Sequence, residues 1–457
     1  MVDLAEHRRA RHATAPVRVI CFSFLAIIIG GALLLTLPIS SKTGEFTPLL
    51  HALFTATSAT CVTGLIIYDT FTHWTVFGQS VILMLIQLGG LGLVSFTTFF
   101  TMRVRGKLGL RDLRLAGEHM NFGNVVGIQQ MLRLIIKVTF ISEAVGALIL
   151  STRFIPMFGA RGIFISVFTA VSAYCNAGFD ILGFISPYTS MTTFTGDWVI
   201  MLTVCGLIIC GGLGFIVFND VLTSRKRWKR VHSLMLHSKI VLITTAGLIV
   251  GGTIIIFLLE HDHTLNGQPF DKQLLASLFS SVTPRTAGFN VIDYAQSTDL
   301  TRLFTILLMF IGASPGSTGG GVKTSTVMVL IMTVYSVVKG YDDTIIFQRR
   351  VDKSTVYKSI ALVSASFLLL VVAIVMLAIF EPDLPLLNLA FEAVSAFSTT
   401  GVSAIGSGDL TAASQALLIL LMYIGRVGPI SFILTMTVRY GIRGRDTTRP
   451  EGKIMVG

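Results

Sequence analysis

The sequence predicts an all-α membrane protein of four tandem helix–loop–helix units, eight transmembrane helices in all, set with pseudo-fourfold symmetry around a central lumen. Three observations predict it. Hydrophobic residues make up 53% of the 457 and charged residues only 13%, outside the composition of soluble domains. Apolar stretches near the roughly 20 residues that cross hydrocarbon as a helix recur from end to end. A short motif ending in glycine recurs four times between alternate stretches, the mark of an internal repeat.

The spans frame these motifs in pairs. Val17 to Leu37 and Phe77 to Thr97 flank the first, Ile128 to Leu150 and Trp198 to Phe218 the second, Lys239 to Leu259 and Leu303 to Val338 the third, and Tyr357 to Phe380 and Ala416 to Thr437 the fourth. The first span is longer than a signal-peptide core and lacks a small-residue cleavage site, so it is read as retained. One membrane domain therefore covers residues 1–457, with repeats 17–97, 128–218, 239–338 and 357–437 and short tails 1–16 and 438–457.

The net charge of +11 would suit nucleic acid only on a water-exposed domain; here the charges lie between spans. Basic residues gather at Arg8, Arg9 and Arg11, from Arg103 to Arg114, from Arg225 to Arg230, from Lys339 to Lys358, and in the tail at Arg439, Arg443, Arg445 and Arg449. The positive-inside rule makes these segments, and both termini, cytoplasmic. The alternate connections carry Glu45, Glu260, Asp262, Asp271, Glu381 and Asp383 and face outside, with Arg153 and Arg161 a mild exception. The five cysteines, Cys21, Cys61, Cys175, Cys205 and Cys210, show no spacing of a zinc or redox site.

Aligned on a phenylalanine, three motifs match without a gap: FTATSATCVTG ending at Gly64, FTAVSAYCNAG at Gly178 and FEAVSAFSTTG at Gly401. FSSVTPRTAG, ending at Gly288, is one residue shorter and carries Pro284 and Arg285. Each semi-apolar segment is too short to span, so it re-enters, and non-helical backbone at that depth must line a lumen or be buried in protein. This makes the units helix–pore loop–helix. A dehydrated monovalent cation needs several oxygens at fixed distance, and carbonyls supply them without a trapping charge. Glycine supplies positive φ and leaves room at the axis. The expected filter is Gly64, Gly178, Gly288 and Gly401, with carbonyls of Thr60, Cys61, Val62 and Thr63, of Tyr174, Cys175, Asn176 and Ala177, of Arg285, Thr286 and Ala287, and of Phe397, Ser398, Thr399 and Thr400. The short helices before them would aim their negative ends at the lumen.

The motifs SATCVTGL, SAYCNAGFD, TPRTAGFN and SAFSTTGVS resemble the Ktr/Trk/HKT superfamily of potassium transporters, and the resemblance covers nearly the whole chain. Eight spans without an additional amino-terminal pair resemble the KtrB-type membrane subunits of bacterial Ktr systems most. Glycine at all four filter positions then implies potassium, where serine in the first goes with sodium-preferring plant members. The resemblance also implies K+ held at filter carbonyls, a homodimer in the bacterial plasma membrane with a pore in each protomer, and a cytoplasmic ring of KtrA-type nucleotide-binding subunits. No organic cofactor is expected, and Na+ stimulation is left open. For contact with the ring the candidates are the basic runs from Arg103 to Arg114 and from Arg225 to Arg230 and the tail; each run equally suits topology and anionic-lipid contact alone.

The long third-unit span is interrupted by Gly312, Ala313, Ser314, Pro315, Gly316, Ser317, Thr318, Gly319, Gly320 and Gly321, which cannot continue a helix cheaply. A mobile intramembrane loop is expected, and the resemblance implies that it closes the pore below the filter. GSTGGGVKT imitates a phosphate-binding loop, but Val322 separates glycine from Lys323 and no strand precedes it. Arg426 stands mid-span where the first two units have GGLG, and is expected to hydrogen-bond loop carbonyls and add a cationic barrier. Glu392, in the fourth pore helix, either attracts cations or accepts from local amides. Glu143, inside a span, finds an internal partner such as an amide or a lysine. Neither belongs to a catalytic constellation, which argues against an enzyme. Two transport alternatives remain: a cation symporter, which predicts inverted or two-fold repeats, and the potassium-conducting subunit of a P-type ATPase complex, which carries additional spans.

Overall fold

A computed structural model describes residues 20–92, 128–225 and 234–429. The amino-terminal basic cluster, the segment from Arg103 to Arg114, nearly all of the Arg225 to Arg230 run and the carboxyl-terminal tail lie outside them.

The first unit contains α1 (Ile20–Thr36), the pore helix α2 (Leu49–Cys61), the short α3 (Thr70–His73) and α4 (Val76–Leu91). The second has α5 (Ile128–Phe158), pore helix α6 (Arg161–Cys175), α7 (Trp198–Leu213) and α8 (Phe215–Arg225). The third has α9 (Leu236–Glu260), pore helix α10 (Phe270–Val282), α11 (Asp299–Phe310) and α12 (Thr324–Val338). The fourth has α13 (Lys353–Phe380), pore helix α14 (Leu386–Ser398) and α15 (Ala412–Val427). A two-residue antiparallel hairpin, β1 (Ile345–Ile346) with β2 (Arg349–Arg350), joins the last two units.

Local chemistry repeats with the fold. Pro48, Pro269 and Pro385 occupy the cap position just before three of the pore helices, where a missing N–H costs nothing. The second helices start at Thr75, Asp197, Thr298 and Thr411, whose side chains accept from first-turn amides. Each second helix also leans on the pore helix of the next unit: α4 on α6, α7 on α10, α11 on α14, and α15 back on α2. That last contact closes a ring of four.

Three helices are long and apolar enough to cross a membrane alone among the described residues: Gln130–Phe158, Leu236–Glu260 and Lys353–Phe380. They turn large apolar side chains outward, Leu258 at 71% and Ile379 at 70% exposure, a surface that suits hydrocarbon rather than water. The second helices of the second and third units are broken instead. The expected continuous span from Trp198 to Phe218 is corrected to two helices bent by 92° at Gly214. Gly92, Gly214 and Gly428 all terminate their helices in the left-handed region, at φ 75°, 87° and 92°, where an L side chain is strained. The interruption of the third unit is thus matched in the second, and α4 and α15 likewise end at a glycine of positive φ.

The repeat phenylalanines Phe54, Phe168, Phe279 and Phe391 are each fully buried in one continuous core. Truncating one removes the wedge behind a pore loop. Phe391→Ala is expected to cost about 3–5 kcal/mol of stability, read as a fall in thermal unfolding temperature in detergent, whereas Phe391→Leu should cost less than half of that.

Candidate functional site

Two places before each motif glycine stands a residue of positive φ, Val62, Asn176, Thr286 and Thr399, at φ 59°, 60°, 69° and 52°; it caps the pore helix in the first, second and fourth units, whereas α10 ends at Val282 with Thr283 as a right-handed cap. Such geometry in a β-branched residue costs about 1–3 kcal/mol and persists only where the surroundings enforce it. In three units the enforcement is a pair of bonds back onto the helix. Val62 N donates to Ala59 O and Thr63 N to Ser58 O; Asn176 N and Ala177 N donate to Ala173 O and Ser172 O; Thr399 N and Thr400 N donate to Ala396 O and Ser395 O. The chain then turns outward through Gly64, Gly178, Gly288 and Gly401, all at positive φ.

The four glycines meet. A β-carbon at Gly64 would fall 2.7 Å from the Ala177 carbonyl oxygen and 3.3 Å from the Gly401 α-carbon. One at Gly178 would fall 2.7 Å from the Gly288 α-carbon, one at Gly288 2.6 Å from the Thr400 oxygen, and one at Gly401 2.0 Å from the Thr63 oxygen. Backbone from four units therefore packs around one axis with no space for a side chain. The hydroxyls of Thr60, Thr63, Ser398 and Thr399 are buried there without a protein hydrogen-bond partner. Oxygen, neutral and closely spaced, is what this locus offers a ligand, and that suits a dehydrated cation.

The shorter third loop is compensated in a way its sequence did not announce. Ser395 Oγ donates to the carbonyl just after its motif glycine, Val402 O, at 2.6 Å; Thr283, one place nearer its own glycine, donates to Phe289 O at 2.7 Å. The missing residue is thus taken out between this hydroxyl and the glycine. The signal was visible as the recurrent hydroxyl in SAT, SAY, TPR and SAF. The Arg285 side chain turns away, Nη2 donating to Thr245 Oγ1 on α9 at 3.1 Å, so the residue offers the lumen only its backbone.

Residues 311–323 form a loop between α11 and α12, pinned at its neck by Gly312 N donating to Val322 O at 2.9 Å. It packs on the pore-helix ends. β-Carbons at Gly319 and Gly320 would fall 2.0 Å from Thr286 Oγ1 and 2.3 Å from Thr399 Oγ1, and one at Gly321 3.3 Å from the Ser398 α-carbon. The bend at Gly214 supplies its anchors, because the last carbonyls of α7 lose their helical partners there. Ser314 N donates to Gly212 O at 3.1 Å, Thr318 N to Gly211 O at 3.3 Å, and Phe215 N returns a bond to Gly316 O at 2.9 Å. Thr318 Oγ1 reaches Tyr174 O at 3.3 Å. Lys323 Nζ donates to Gly319 O at 2.7 Å and Gly320 O at 3.3 Å, so its ammonium holds the loop's own backbone. Pro315 and Ser317 complete the outer turn, and Ala313 packs beneath Gly319.

Arg426 spans the remaining gap, donating through Nη1 to Thr318 O in the loop and through Nη2 to Gly89 O, one of the last carbonyls of α4. One guanidinium thereby ties the third unit to the first. The register that aligns it with the GGLG motifs is exact in space as in sequence: Gly89, Gly211 and Gly425 each press on the last-turn carbonyl of their own pore helix, those of Thr60, Tyr174 and Phe397. Glu392 accepts through Oε1 from Ser403 Oγ and from the amides of Ala404 and Ile405, at 3.0 and 3.4 Å for the amides, and so caps the chain leaving the fourth loop. Glu143 meets an amide, that of Gln87.

A closed ring of four units, each delivering one positive-φ glycine and its carbonyls to a common axis, defines a cation-conducting membrane protein. The profile of the TrkH cation transport protein family matches residues 4–440, and the chain belongs to that family. It is 38% identical over 456 residues to the potassium/sodium uptake protein NtpJ of Enterococcus hirae, covering 98% of this chain and 99% of the other. It is 37% identical over 449 residues to the Ktr system potassium uptake protein B of Bacillus subtilis, covering 97% of each. The crystal structure of the potassium transporter TrkH from Vibrio parahaemolyticus shares the fold, with a TM-score of 0.72 at 17% identity over 93% of this chain and 85% of that one. Members of the family are multi-pass transporters, not enzymes.

The closest of the glycine contacts makes the sharpest test. Gly401→Ala places a methyl against the Thr63 carbonyl and strains the backbone at φ 94°. It is expected to lower cation flux at least roughly tenfold, measured as isotope uptake into liposomes at matched protein content.

Proposed function

We propose that this chain, as one membrane domain, carries potassium across the bacterial plasma membrane through the four-loop filter, and that the loop of residues 312–321, held by Lys323 and Arg426, gates the pathway. The observation that carries the reading is the ring of four positive-φ glycines at one axis. Fixed carbonyls replace a hydration shell, and no carboxylate lies among the filter residues Thr60 to Gly64, Tyr174 to Gly178, Arg285 to Gly288 and Phe397 to Gly401. The names of the two relatives, potassium/sodium uptake protein and potassium uptake protein B, support potassium as the ion.

Gating follows from position. The loop lies against the carboxyl ends of the pore helices, the side that the basic connections make cytoplasmic, and two cations stand in it. An ion leaving the filter inward would meet Arg426 and Lys323 before water, so the loop must move for flux to continue. Its anchors are polar bonds, backbone to backbone on α7, Thr318 Oγ1 on Tyr174 O and Arg426 on Thr318 O, a kind of contact that exchanges without unpacking a core. The Ktr system in the name of the Bacillus subtilis relative supports assembly with a partner, which we take to be a homodimer seated on a nucleotide-binding KtrA-type ring, with the runs from Arg103 to Arg114 and from Arg225 to Arg230 and the tail as candidate contacts.

In liposomes, rubidium uptake should be competed by potassium and not by sodium at equal concentration; absence of any rubidium flux would remove the reading, and stimulation by sodium would add coupling to it. Arg426→Ala should raise rubidium uptake several-fold in the absence of a regulator. An unchanged rate would show that the guanidinium is no part of the barrier.

A further inference from the structure

Behind the second pore loop lies a buried polar cluster that the pathway itself does not use. Glu143, midway along α5 and only 5% exposed, directs Oε2 at Gln87 Nε2 of α4, 3.3 Å away, and Oε1 at Cys175 Sγ, 3.8 Å away. Cys175 is the last residue of pore helix α6, and its sulfur also lies 3.8 Å from Gln87 Oε1. The same sulfur packs on Gly90, where a β-carbon would fall 2.6 Å from it. The cluster thus joins the first unit to the second one residue before the left-handed turn at Asn176.

Gln87 presents an amide N–H to the carboxyl group, and the single S–H of Cys175 has two acceptors in reach, Glu143 Oε1 and Gln87 Oε1. A carboxylate accepts from both; a carboxylic acid would have only the weakly accepting thiol sulfur for its own proton. Among the described residues no lysine, arginine or histidine forms an ion pair with Glu143. A buried charge without a partner is costly and is retained in membrane proteins for function. The cations that face this cluster are Arg426, whose guanidinium donates to Gly89 O two residues along α4 from Gln87, and an ion passing the lumen beyond the end of α6; a negative charge here offsets the first and attracts the second.

Resting on the potassium reading above, we propose that Glu143 is a positioning residue of the filter: its carboxylate acts through Cys175 and Gln87 to raise the affinity of the pathway for the cation. A unit charge within roughly 10 Å of an ion, at an effective dielectric near 20, shifts affinity about tenfold. The side chain does not touch the ion; it supplies negative charge near the lumen and holds the last turn of α6 against α4.

Glu143→Gln tests this, because it keeps the shape and one hydrogen-bond acceptor while removing the charge. Rubidium uptake by the full chain in liposomes is measured against concentration, with thermal unfolding in detergent alongside. The expected result is a KM for rubidium raised at least fivefold with Vmax within twofold of the unsubstituted protein, and an unfolding temperature nearly unchanged. Glu143→Asp, which keeps the charge on a shorter stem, should recover most of the affinity. A KM within twofold in Glu143→Gln overturns the proposal, and so does a loss confined to Vmax or to stability, which a purely structural carboxyl would produce. Because the unsubstituted protein is measured in the same assay, failure of the potassium reading would appear there as absent flux and is distinct from failure of this inference.

Discussion

Everything in this molecule is subordinate to bringing four stretches of backbone to one axis at contact distance. Side chains cannot mediate such an approach, so the sequence must place glycine at the meeting point and hold the preceding residue in a conformation it would not choose. The holding is done in layers. A helix-end pair of amide bonds fixes the left-handed residue, a serine or threonine hydroxyl ties off the strand beyond the glycine, and a buried phenylalanine wedges the helix behind. Each layer is modest in energy and repeated in several of the units, and together they offset the strain at Val62, Thr286 and Thr399.

A second constraint comes from the hydrocarbon environment, in which freed backbone groups cannot turn to water. Ending the second helices at Gly92, Gly214 and Gly428 frees their last carbonyls. Those of α7 accept from the amides of the 311–323 loop, and that of Gly89 accepts from Arg426. The loop is therefore not an ornament hung beneath the filter. It satisfies the polar groups that the bends release, and the bends give it a place to bind.

Much of this was legible in the chain. The phenylalanine-to-glycine spacing located all four loops, and the glycine run after Phe310 located the interruption, because both rest on local backbone rules that a sequence displays. The bend at Gly214 was not seen, since GGLG sits in an unbroken apolar stretch whose hydropathy reads as a continuous span; only the recurrence of a final glycine at Gly92, Gly214 and Gly428 could have signalled it. Arg426 stood out as a charge in a span, yet its second acceptor, Gly89 O, depends on a helix end in another unit. Thr283 stands in register with Ser395 when counted from the motif phenylalanine, so the position of the hydroxyl was legible, while its bond to the carbonyl beyond the glycine was seen only in the coordinates.

The contact of α15 with α2 closes the ring between the last unit and the first. During synthesis the first pore loop enters the bilayer long before Gly401 exists to pack against Gly64, and Gly89 must wait as long for Arg426. Until the fourth unit arrives, the strained loops of the earlier ones have an open flank facing lipid. Biogenesis of such a chain is thus all-or-none at its final step. Truncation even within the last helix would leave not a smaller channel but an unfinished one, a natural substrate for membrane quality control.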